Sequence, residues 1–428
     1  ANLRFGMAYT ATITTEVTDS AGAHLESDYT WTFVTMPVPV SGGGWHALAV
    51  ADDNTVSAWG WNGWGVIGDG TYTDNPGPVP VLGPDGTGSL SDIIAVAAGN
   101  DHSMALKNDG TVWTWGSNGS GQLGNPTYAV DSTLPVQVVG LGGAGFLTGV
   151  VSIAAEYYQS FALRNDGTVV AWGYNVDDQL GDGTGANSAF PIQVFTDAAA
   201  ISSGSFHTLA LKNDGTVWAW GEDSYGELGD GIEGGSNVFP TQVVGPGGAG
   251  FLTDIISIDA GEFVSSVVKS DGTVWTWGGN YTGQLGDGGS ANMPWPVQVV
   301  GVGGTGFLTD IVQVDAAYDH IVAFSSTGSA YGWGSHYFAS LGNGAPETTT
   351  ESNTPVQVVG EGGVGMLSGV IGVATTDYYT SFAVLSDGLV MGWGWNDKSE
   401  LVATTVEIFH TRVSSSTPVQ VGLLDLIP

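Results

Sequence analysis

ALKNDGTVWTWGSNGSGQLGN, residues 105–125, is the phrase that decides the fold. It returns as ALRNDGTVVAWGYNVDDQLGD at 162–182 and as ALKNDGTVWAWGEDSYGELGD at 210–230. Within it, Asn-Asp-Gly separates two runs that alternate apolar and polar residues. That is a hairpin signal, because glycine takes a positive φ without a Cβ clash. The turn glycine recurs at Gly110, Gly167, Gly215, Gly272, Gly328 and Gly388, with Asn54 in the first copy. Trp-Gly pairs fall at Trp59, Trp115, Trp172, Trp220, Trp277, Trp333 and Trp393, spaced by 56, 57, 48, 57, 56 and 60 residues. Seven copies fill nearly everything after residue 36.

Each copy reads as four short strands. In the second copy these are residues 93–97, 102–107, 111–115 and 135–139. A proline is expected to open the fourth strand at Pro78, Pro135, Pro191, Pro240, Pro296, Pro355 and Pro418, since proline belongs where no ladder N–H is needed. Seven four-stranded antiparallel blades arranged radially make an all-β, seven-bladed β-propeller. The Trp of each Trp-Gly pair is expected to fill the space between neighbouring blades. MPVPV at 36–40 aligns with later inner strands, so blade one is expected to be complete in sequence. GLLDLI at 422–427 resembles the start of an eighth inner strand that would pair beside blade one.

Outside the repeat, composition narrows the classes. Of 428 residues, 69 are Gly and 17 Pro, too many for long helices, while 42% hydrophobic content and 16 Trp demand a packed core. Seven Lys and Arg against 42 Asp and Glu give a formal charge of −35. Such a chain is repelled by phosphate backbones and anionic lipids, so neither nucleic-acid binding nor membrane insertion is expected. The chain has no Cys and no stretch of 18 apolar residues. It starts at Ala1 without a signal-like segment, as a trimmed fragment of a longer product would. The anomaly is missing Lys and Arg rather than surplus acid, which points to an extracellular or cell-surface protein.

The pattern G-x-x-H-S-x-A-L-x-x-D-G-x-V-x-x-W-G-x-N-x-x-G-Q-L-G resembles the repeat of the regulator of chromosome condensation family, over about nine-tenths of the chain. The resemblance implies a seven-bladed propeller without implying one activity. The glycine-rich segments at 142–148 (GGAGFLT), 247–253 and 303–309 (GGTGFLT) are similar to inserts of secreted bacterial members. Residues 1–35 resemble the last two strands of a bacterial surface-layer-type immunoglobulin-like domain, and residues 36–428 form the propeller. A lone hairpin is marginal in water, so those first strands are expected to lean on the propeller, to pair with missing upstream chain, or to join another subunit by strand addition.

Chemistry-bearing residues are few. His46, His102, His207 and His320 share one repeat position, with Gln159, Val264 and Thr380 in the other copies. An imidazole bonding a backbone carbonyl accounts for them, and no metal is assigned. Gly-Asp-Gly at 68–70, 181–183, 229–231 and 286–288 lacks the spacing of calcium loops and reads as turns. Lys107, Arg164, Lys212 and Lys269 each precede a hairpin turn, so no basic patch forms. No nucleophile elbow, zinc motif or phosphate loop is present; no enzyme and no cofactor are expected.

One set of residues points to binding. Before the second strands stand Trp45, Tyr157, Tyr158, Phe206, Phe263, Tyr318, Tyr378 and Tyr379, with the acids Asp101, Glu262, Asp319 and Asp377 interleaved. A second set follows the Trp-Gly pairs: Trp61, Trp64, Tyr174, Tyr225, Tyr281, Tyr337, Phe338 and Trp395. Aromatics beside acids on loops stack on sugars or anchor a protein partner. The sharpest candidates are Trp45, Trp61, Tyr158, Phe206, Phe263, Tyr318, Tyr379 and Trp395. The reading favoured on sequence is an extracellular structural or adhesive protein whose first strands link it to itself or to another surface protein or glycan. The alternative is a carbohydrate- or protein-binding module, lectin or inhibitor-like, that uses the aromatic-acidic face.

Overall fold

The computed structural model describes residues 8–13, 29–34, 40–126, 130–346, 351–376, 378–397, 401 and 414–421. Among them lie seven four-stranded antiparallel sheets, each contiguous in sequence, with its strands paired in chain order. The protein is all-β, a seven-bladed propeller. Blade one runs through Val40–Gly42, His46–Val50, Val56–Gly60 and Asn75–Pro80, and so supplies its own inner strand, as its alignment with later copies predicts. The segment 422–427 lies outside the described residues. Ala8–Ile13 and Tyr29–Val34 form a separate antiparallel hairpin.

The inner strands of all seven blades line one axial cavity of about 300 Å³. The Trp of each Trp-Gly pair is fully buried. Trp115 packs among Leu48, Ile67 and Val81 of blade one and Val96 and Ala105 of blade two, so the large ring fills the wedge between radial sheets. Trp59 performs the same role at the ring closure, among Phe382, Val390, Leu401 and Val421 of blade seven. A loop glycine makes room for the ring. Gly124 has φ 58°, and a Cβ there would stand 2.7 Å from Trp172 Nε1.

The prolines differ from expectation. Pro135 lies inside Ser132–Gln137 rather than at its start, next to a register shift between Ser132 and Val136. The outer strand is an unpaired edge, so proline's missing N–H forfeits no ladder bond. The short spacing of 48 between Trp172 and Trp220 has a local cause. Only two residues separate the outer strand Ser188–Phe195 from the inner strand Ala198–Ser203. The blade before it spends residues 138–149 on a glycine-rich loop at the same place.

Candidate binding face

Each blade joins strands one to two and three to four at one end of the propeller, and two to three at the other. The histidine position begins the second strand and therefore sits just below the first end. His46 Nε2 lies 2.9 Å from Ser103 Oγ of the next blade, and that hydroxyl donates to the Val66 carbonyl oxygen at 2.8 Å. The serine proton being committed to the carbonyl, Nε2 must donate, which fixes a neutral Nε2–H tautomer. Trp115 Nε1 donates to the same carbonyl at 2.6 Å. The latch repeats from His102 to Ser160, His207 to Ser265 and His320 to Ser381. Burial holds these imidazoles down to about 3. The histidines are thus structural, as predicted, though their partner is a neighbouring hydroxyl rather than a carbonyl. Where Gln159 replaces histidine, its amide donates to the Gly204 carbonyl oxygen of the next blade at 2.7 Å.

The Gly-Asp-Gly carboxylates are also accounted for within the chain. Asp69 accepts from the Thr71 N–H at 2.9 Å and from Asn62 Nδ2 at 3.3 Å. Asp287 accepts from the Gly289 N–H and Asn280 Nδ2. Among the described residues no group of three or more His, Asp or Glu is placed to hold a metal ion.

Above the latches, the aromatic residues meet in one run. Ring centroids are separated by 5.3 Å for Tyr157–Phe206, 6.3 Å for Phe206–Phe263 and 5.5 Å for Phe263–Tyr318. The run continues through Tyr318–Tyr379 at 6.3 Å, Tyr379–Trp395 at 6.4 Å and Trp395–Trp45 at 4.7 Å. It crosses blades three to seven and reaches blade one. Tyr158 joins at the Tyr157 end, 4.2 Å away, and hydrogen-bonds Asp101, which, like Asp319 in blade six, stands where the other five blades carry a ring. Tyr225 and Tyr281, both exposed, flank Phe263 on its outer side. Phe338 stacks on Trp395 at 4.9 Å. The structure therefore gathers seven of the eight sharpest candidates. The eighth, Trp61, is turned onto Gly63 in the loop of blade one and makes none of the described ring contacts. Asp377 lies outside the described residues.

Two residues of the run are held in left-handed backbone, Tyr157 at φ 45° and Phe338 at φ 54°. For non-glycine residues that conformation costs about 1–2 kcal/mol each. Acids are interleaved with the rings. Burial pushes Asp319 up to about 7, and burial likewise raises Asp101 against the lowering hydrogen bond from Tyr158. The charged groups divide by end. Lys107, Arg164, Lys212 and Lys269 close their second strands at the far end, where Lys212 lies 4.9 Å from the Trp218 ring and Arg164 pairs with Asp166 at 3.3 Å. No Lys or Arg among the described residues stands at the aromatic end.

The sequence reading passed over one exposed set at the far end. Phe146, Phe251, Phe307 and Met366 occupy one position of the glycine-rich loops, each more than half exposed. The signal was available in the repeated GFL within GGAGFLT.

The family model for the RCC1-like domain matches residues 14–301. The chain belongs to the RCC1-like domain family. Its relatives include the ultraviolet-B receptor UVR8 of Arabidopsis thaliana, 29% identical over 83% of this chain and 64% of the receptor. Another is the human E3 ubiquitin-protein ligase HERC2, 27% identical over 77% of this chain and 5% of the ligase. The chain thus spans less than two thirds of either protein. Among solved structures, yeast RCC1 (Prp20), bound to Kap60 in one and studied for binding to Gsp1p and histones in another, superposes with a TM-score of 0.68. Identity there is 21%, over 86% of this chain and 83–85% of Prp20, a likeness of fold.

These relatives correct several expectations. They come from plants, animals and yeast, so the secreted bacterial type is withdrawn for the repeat and its glycine-rich loops. The family match begins at residue 14, inside the segment read as immunoglobulin-like, and what is described there is one hairpin, so that reading is withdrawn too. Their names are those of a receptor, a ubiquitin-protein ligase and a protein studied for binding to Gsp1p and histones. The expectation of an adhesive structural protein, and of an extracellular or cell-surface location, is overturned by them. Prp20, which shares this fold, is a protein that engages protein partners.

Proposed function

We propose that the propeller, taken as residues 36–428, is a regulatory scaffold whose protein partner docks on its aromatic, acidic end. The observation that carries this reading is the continuous run of half-buried rings from Tyr157 to Trp45. Core packing alone does not need strained backbone at Tyr157 and Phe338, and such strain gathers where a surface is shaped for use. Large, preordered aromatic side chains are the residues that dominate protein interfaces. Trp45, Tyr158, Phe206, Phe263, Tyr318, Tyr379 and Trp395 are the proposed contact residues, and Trp61 is at most peripheral. The names of the relatives favour a protein over a glycan as the occupant.

The test is affinity capture with the full chain, scored by quantitative mass spectrometry against two variants. Phe206→Ala with Tyr318→Ala should lower recovery of the captured proteins at least tenfold. Phe251→Ala at the far end should leave it unchanged. Recovery that depends on Phe251 and ignores the double variant would refute the assignment of the face.

A further inference from the structure

We infer that the occupant of this face is an extended, arginine-rich segment of the partner, with one guanidinium seated against Asp319 among Tyr281, Tyr318 and Tyr379. This rests on the protein-binding reading above and specifies its chemistry. Three observations point to a cation. The first is the division of charge among the described residues, since their Lys and Arg lie at the far end while Asp101, Glu262 and Asp319 stand at the aromatic end. The second is Asp319 itself, 3% exposed, whose Oδ1 has no hydrogen-bond donor. A carboxylate oxygen buried without a donor is expensive, and a charge-assisted bond from a guanidinium would satisfy it. The third is its surroundings, because burial and then nearby carboxylate charge, Asp319 included, hold the Tyr281, Tyr318 and Tyr379 phenols un-ionised above their usual range. Those groups share one electronegative site.

Arginine suits the site better than lysine. The guanidinium is planar, weakly hydrated and stacks on aromatic faces while donating in its own plane. The rings are spaced 5.3–6.3 Å apart from Tyr157 to Tyr379. Neighbouring side chains on one face of an extended peptide are about 6.5–7 Å apart, so alternate residues match successive rings.

The probe is a fluorescein-labelled (Arg-Gly)5 peptide at physiological salt, with (Lys-Gly)5 beside it, read by anisotropy. The expected result is that (Arg-Gly)5 binds at least fivefold tighter than (Lys-Gly)5. Asp319→Asn and Phe263→Ala should each weaken it tenfold or more. Asp109→Asn with Asp166→Asn, which removes two charges at the far end, should change it less than twofold. Thermal melts of each variant report whether it has folded, and the near-isosteric Asp319→Asn keeps the test alive if Phe263→Ala has not. Equal affinity for both peptides, or losses that track net charge wherever it is removed, would overturn the inference as diffuse attraction. If the peptide fails while captured proteins still depend on Phe206 and Tyr318, the partner chemistry falls and the docking face stands. If neither depends on the run, both fall.

Discussion

Asp223 and Glu227 stand where blade three carries Asn175 and Gln179. In that blade Asn175 accepts from the Leu180 N–H through Oδ1 and donates through Nδ2 to Asp182 at 2.8 Å. Asp223 keeps the first bond, to the Leu228 N–H at 2.9 Å, but has no amide to donate and faces Asp230 and Glu233 instead. Burial pushes Asp223 up to about 7 and Glu227 to about 8. Unfolded carboxylates titrate near 4, so between about pH 4 and 8 the folded state holds the extra protons, and stability falls as pH rises. Asp223→Asn with Glu227→Gln should therefore raise stability by on the order of 1–3 kcal/mol at pH 8, with the gain shrinking towards pH 5. Urea melts at the two pH values check this, and an equal gain at both would contradict it. Single letters carried the turn glycines and buried tryptophans, because a positive φ and a wedge of fixed volume admit few residues. The meaning of Asp223 was illegible, since it depends on which donor the neighbouring chain brings.

At the scale of the element, a blade is held to the next by an apolar wedge and a polar latch. The latch joins His207 to Ser265 at 2.8 Å, and the Ser265 hydroxyl donates a hydrogen bond to the Glu227 carbonyl oxygen, which also accepts from Trp277 Nε1. Ser265→Ala should cost about 1–3 kcal/mol, because it leaves His207 Nε2–H buried without an acceptor. A urea-melt difference below about 0.5 kcal/mol would show that the wedge alone holds the pair of blades. Strand number, order and pairing were legible, since the repeat phrase contains its own turns. The proline was misplaced, because a strand edge and a strand start place the same demand on a missing N–H and sequence does not separate them. The aromatic run was legible as a set of residues but not as a path. Adjacency across blades depends on side-chain direction, and Trp61 turns away onto Gly63.

Over the whole molecule, opposing titrations shape stability. Four buried imidazoles held near 3 remain neutral in the fold while unfolded ones charge below about 6.5, so stability is lost as pH falls from 6.5 to 3. Acids held up by burial act the other way between about 4 and 8. Asp315 on the axial cavity is pushed to about 7, and Asp259 beside it goes well above the carboxylate range through burial and the charge of Asp315. The two slopes oppose each other between about pH 4 and 6.5, so melting temperature should plateau there and decline on both sides. The formal charge of −35 adds repulsion at higher pH, and added salt should recover part of that loss at pH 8 more than at pH 5. Calorimetry across pH and salt tests both, and a maximum at pH 8 would contradict the account.

The histidine latches sit at four of the seven junctions between blades: one to two, two to three, four to five and six to seven. Blade seven has Thr380 at the histidine position, and blade one has Ala47 at the serine position. The described contacts across their junction are apolar: the wedge of Trp59 against Phe382, Val390 and Val421, and Trp45 against Tyr378 and Trp395. Blades five and six, with Val264 and Ile321 at those two positions, lack the latch as well. A ring fastened unevenly opens unevenly, and a force that spreads it should part a junction without a latch before one that has it.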